Sequence, residues 1–79
     1  MKYGVQLTRN KDIVAITDTR KEASRIAVEF LKNELGTPYV NSGISWFLTH
    51  LPNEYKKEED CYEAFISGEE SIDIVNVLD

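Results

Sequence analysis

The sequence predicts a small α+β domain, with one mostly antiparallel sheet and helices packed against it. Three observations lead there. Segments at both ends of the 79-residue chain alternate apolar and polar residues with a period of two. The segment from Thr19 to Gly36 carries a helical apolar stripe between a start and a stop signal. The length admits one core only, because two domains of about 40 residues would each need disulfides or metal. Residues 1–79 therefore read as a single domain with the order β-β-α-β-α-β.

The first strand rests on Tyr3, Val5 and Leu7 alternating with Gly4, Gln6 and Thr8. Arg9-Asn10-Lys11-Asp12 is a polar turn in which Asn10 accepts a left-handed backbone most readily. Ile13 to Thr17 is a dense, β-branched second strand, and its density predicts a central position with both faces covered. Thr19, with Glu22 three residues on, makes a capping box; Asp18 is the alternative cap. Ala23, Ile26, Ala27, Phe30, Leu31 and Leu35 then form one stripe over residues 20–35, and Gly36 and Pro38 stop the helix. Lys21, Arg25 and Lys32 share its opposite face, around a Val28 expected to be exposed.

Residues 37–43 read as a loop. Residues 44–51 read as a third strand from their aromatic and branched content, with a short helix capped by Ser42 as the alternative. Pro52 ends either one. Asn53 caps a second helix that carries Tyr55, Cys61, Tyr62, Phe65 and Ile66 on its apolar side and ends at Gly68. Ser71 to Leu78 is the last strand.

The charge is −5 and unevenly placed. Residues 1–52 hold seven bases and five acids, a net of +2, whereas residues 53–79 hold two bases and nine acids, a net of −7. An acidic chain repels phosphate backbones and anionic membranes, so nucleic acid and membrane are not its expected direct partners. No apolar run approaches the 18 residues of a membrane span, the first residues do not resemble a signal peptide, and the lone Cys61 has no disulfide partner. A soluble, cytoplasmic protein is expected.

No set of residues converges on catalysis. Cys61 falls on an apolar helix side, where desolvation opposes thiolate formation, and His50 stands at the end of an element. Glu58 is the one carboxylate whose spacing sets it among Tyr55, Tyr62 and Phe65. One His and one Cys are too few for zinc, and the four glycines are isolated, so no metal, cofactor or phosphate cradle is expected. What stands out is charge with aromatics. Glu54, Glu59, Asp60, Glu63, Glu69 and Glu70 form a candidate protein-binding surface, with Trp46 and Tyr55 as anchors. Lys21, Arg25 and Lys32, with Arg20, form a candidate anion site.

These features point to an acidic binding module that occupies the basic, nucleic-acid-binding surface of a larger protein and thereby inhibits it. In size, charge and lack of catalytic groups it resembles the small anti-defence proteins of phages, anti-CRISPR proteins included; no motif carries that likeness. The alternatives are a homo-oligomer, a homodimer at its simplest, that binds a small anion such as a nucleotide through Lys21, Arg25 and Lys32, and a housekeeping adaptor or regulator. An enzyme using Glu58 or His50 is a further class.

Overall fold

The computed structural model describes residues 1–77, so Leu78, expected in the last strand, and Asp79 lie outside the described residues. The order of elements is β1 (Lys2–Leu7), β2 (Ile13–Thr17), α1 (Arg20–Leu35), α2 (Thr37–His50), α3 (Glu58–Ser67) and β3 (Ile72–Val77). It is an α+β fold: three strands form one antiparallel sheet in the order β2-β1-β3, and three helices pack with it.

The sheet sorts its side chains by register. Val5 pairs with Ala15 on one side and Ile74 on the other, and Leu7 pairs with Ile72. These positions share the inner face, and Val5, Leu7, Ile72 and Ile74 are buried in the core. Gly4 pairs with Ile16 and Val75 on the outer face, where a Cβ at Gly4 would meet a Val77 methyl at 2.8 Å. β1, not β2, is therefore central. The density of apolar residues in β2 reflects an edge strand with Ile13, Val14 and Ile16 exposed. Its pairing shifts by one residue between Val5 and Gln6, a bulge. In the preceding turn the residue with positive φ is Lys11 (62°), and Asn10 instead accepts from the Asp12 N–H at 3.0 Å.

α1 begins at the expected cap but without the reciprocal half of the capping box, because the Glu22 carboxylate accepts from Arg25 instead of the Thr19 N–H. Thr19 has an extended backbone, and its hydroxyl accepts from the Glu22 N–H at 3.1 Å. Asp18, the alternative cap, instead pairs with Lys2. Thr19→Ala is expected to cost about 1 kcal/mol and to lower Tm by about 4–8 °C in a thermal melt followed by circular dichroism. α1 contacts every other element of the fold. That central position explains why Val28, expected on the solvent side, is fully buried: the helix is covered on more than one face. Ser24 accepts the same environment by donating its hydroxyl to the Arg20 carbonyl at 3.0 Å.

The largest departure concerns residues 37–51. Gly36 ends α1 at φ 95°, its N–H donating to the Lys32 carbonyl at 3.0 Å, and α2 starts at once. Pro38 stops nothing; it occupies the first turn of α2, where its missing N–H costs no hydrogen bond. The expected loop at 37–43 and the expected strand at 44–51, up to His50, are thus one 14-residue helix, the helical alternative extended about two turns toward the N-terminus. α2 buries Val40 and Ile44 and packs mainly on α1 and α3.

The acidic helix also starts later than Asn53 predicts. Residues 51–57 form turns in which the Leu51 carbonyl accepts from the N–H groups of Glu54 (3.1 Å) and Tyr55 (3.0 Å). α3 opens at Glu58 because Asp60 reaches back to accept from the Lys57 N–H at 3.1 Å, the cap that Asn53 does not supply.

Candidate protein-binding surface

The charged faces of α1 and α3 meet. Glu63 pairs with Arg20, and Glu59 lies 3.6 Å from Lys21. Asp60 is committed to the α3 cap. Within α1, Arg25 pairs with Glu22 and Lys32 with Glu29 at 3.4 Å. The Glu22 hydrogen bond and charge raise the Arg25 pKa, and the reciprocal contact lowers that of Glu22. Glu59 and Glu63 are thus paired with bases of α1, while Arg25 and Lys32 are paired with glutamates of α1 itself. Each such exposed pair contributes little stability, about 0–1 kcal/mol, yet together they leave no field of one sign. Reversing Glu59, Asp60 and Glu63 to lysine would remove a helix cap and two ion pairs along with the charge.

Glu54, Glu58 and Glu70 are exposed, and among the described residues none of them pairs with a lysine or arginine. Glu58 stands in the first turn of α3 on the surface, not in an apolar pocket. Glu69 accepts from the Tyr39 hydroxyl at 3.1 Å, and that bond with the carboxylate charge raises the tyrosine pKa.

That contact leads to the surface the charge count misses. Residues 35–53 contain no Asp, Glu, Lys or Arg, although 29% of the chain is charged. α2 lies wholly inside this stretch. Its inner side buries Val40 and Ile44, while its outer side presents Tyr39 and Trp46 at 53% and 50% exposure. Spacings of seven and four residues place Tyr39, Trp46 and His50 along one helix face. The Trp46 and His50 rings stack at 4.7 Å and 16°, and the Phe47 ring meets the indole edge-on at 5.4 Å. His50 Nδ1 lies 3.0 Å from the Trp46 carbonyl. A carbonyl only accepts, so Nδ1 carries the proton in that bond.

Between α2 and α3 runs a groove of about 230 Å³, lined by Gly43, Trp46, Phe47, Ala64, Phe65, Gly68 and Glu69. Phe65 makes its floor at 6% exposure, with Tyr39 edge-on to it at 6.4 Å. Gly43 permits the close crossing, since a Cβ there would lie 2.3 Å from Phe65 Cε1.

The structure thus brings together Trp46 and Glu69 from the predicted set, and adds Tyr39 and Gly43. Tyr55 is separate and half-buried, edge-on to Phe47 at 5.2 Å, which makes it packing more than anchor. The signal for Tyr39 was the charge-free stretch on an otherwise charged chain. Cys61 is fully buried; desolvation, then the charges of Asp60 and Glu58, push its thiol pKa up. Among the described residues no helix is long and apolar enough to cross a membrane, and no cluster of three His, Cys, Asp or Glu could hold a metal. Comparison with protein families, with curated proteins and with solved structures gave no match.

Proposed function

We propose that the chain is a small acidic protein-binding module whose contact surface is the outer face of α2, anchored by Tyr39 and Trp46 and flanked by Glu69. The observation that carries this reading is the pair of half-exposed aromatics on a helix face free of charge. Tyr and Trp are the side chains that dominate binding energy at interfaces, and depletion of charge marks the interior of such patches. Trp46 is held by its stack on His50, so little rotamer freedom is lost on contact.

The excess acid of the last third suits a larger partner with a basic surface, of the kind that binds nucleic acid. The module would inhibit that partner by occupying the surface, in the reducing cytoplasm that a lone buried cysteine tolerates. Acids outside the aromatic face would speed the encounter more than hold the complex.

Capture from host lysate, compared across variants, tests the reading. Wild type should retain a partner that Trp46→Ala and Tyr39→Ala each bind at least about tenfold more weakly, the loss of a single anchor worth about 1.4 kcal/mol. Arg25→Ala, on the neutralised face of α1, should retain it. An identical captured set for wild type and both aromatic variants overturns the reading.

A further inference from the structure

We infer that the groove between α2 and α3 is a receptor for an arginine side chain of a basic protein partner. The inference rests on the binding-module reading and assigns the chemistry of its central contact. The groove has apolar walls from Trp46, Phe47, Phe65 and Ala64, and one carboxylate, Glu69, stands among its lining residues. At about 230 Å³ it falls below the roughly 300–1,000 Å³ of small-molecule sites. That size fits an inserted side chain.

Charge selects which one. No lysine or arginine lines the groove, and among the described residues none pairs with Glu69. Glu69 Oε1 takes the Tyr39 hydroxyl, and among the described residues no hydrogen bond reaches Oε2. A cation is therefore the complementary occupant, and the Tyr39 bond keeps the carboxylate in place to receive it. Arginine suits the site better than lysine: its flat guanidinium lies against aromatic walls and forks onto a carboxylate, whereas a compact ammonium holds its hydration. Gly43, where α2 meets Phe65 of α3, and Gly68, just after α3, contribute no side chain to the groove.

Trp46 is the sole tryptophan, so its fluorescence reports on the groove directly. The full chain is titrated with hexa-arginine and with hexa-lysine peptides at low salt. Expected are a change in Trp46 emission and an affinity for hexa-arginine at least about threefold above that for hexa-lysine. Glu69→Gln, whose amide oxygen still accepts from Tyr39, should weaken hexa-arginine at least about fivefold. Glu54→Gln removes the same charge away from the groove and should change affinity less than about twofold. Equal losses in the two variants, or no preference for arginine, overturn the inference. In the capture experiment, a partner lost by Trp46→Ala but kept by Glu69→Gln discards the arginine receptor and leaves the binding module standing. A partner kept by both variants discards the module itself.

Discussion

Phe65→Ala is expected to cost about 3–5 kcal/mol, the range for removing a buried aromatic ring. A domain of 79 residues has roughly 4–12 kcal/mol in total, so this one change brings it close to unfolding. The site explains the size of the effect. Phe65 is 6% exposed, belongs to the core cluster, and is the surface on which α2 crosses α3 at Gly43. Tyr39 rests edge-on against the same ring, so its removal loosens an anchor as well. The void opens toward the groove and admits water, which favours the lower end of the range. Urea unfolding should show the midpoint falling by well over half its value if the wild type lies near 5 kcal/mol, and Tm falling by at least about 12 °C. Trp46→Ala, at a half-exposed position, should cost less than about 1 kcal/mol. That contrast separates folding from binding: one aromatic holds the seam, the other faces outward. A loss below 1 kcal/mol for Phe65→Ala would mean that the seam is not packed around its ring.

How much of this was legible depended on whether one physical signal acted alone. α1 was legible at both ends because Thr19 and Gly36 act through the local backbone. Its burial was not, because Val28 is covered by elements remote in sequence. α2 was obscured by its own two faces. Val40 and Ile44 serve the core while Tyr39 and Trp46 line the opposite side, so apolar residues go around the helix and the period of 3.6 fades. Pro38 added to this, since one residue type both ends helices and starts them. β2 shows the converse: a strand can be apolar and still lie at an edge with Ile16 exposed. For the site, counting acids located Glu59, Asp60 and Glu63 but not the Arg20, Lys21 and backbone groups that engage them. Those partners lie on another helix or in the α3 cap. Glu69 became informative only through Tyr39, 30 residues away.

Gly43→Ala, the second substitution of large effect, acts on the same seam. In an unobstructed helix interior, alanine is favoured over glycine by about 0.8–1 kcal/mol, and α2 would be expected to gain from it. Here the new Cβ would lie 2.3 Å from Phe65 Cε1 and 2.8 Å from Cδ1. The ring is seated in the core at 6% exposure, so relieving the clash must move ring and helix apart and disturb that packing. Overpacking of this kind costs about 1–3 kcal/mol, and a clash this close belongs at or above the top of that range. The net effect should be a loss of about 2 kcal/mol. Combined with Phe65→Ala the sign should reverse: with the ring gone, alanine at 43 recovers its helix preference and fills part of the void, a gain of up to about 1 kcal/mol. The coupling between the two positions is then about 3 kcal/mol, the upper limit seen for residues in direct contact. A double-mutant cycle in urea measures it. Additive effects, within about 0.5 kcal/mol, would show that glycine at 43 does not set the crossing of α2 and α3. The same cycle bears on binding, because Gly43 and Phe65 line the groove that Trp46 and Glu69 flank. Gly43→Ala should therefore weaken hexa-arginine binding even under conditions where the variant remains fully folded.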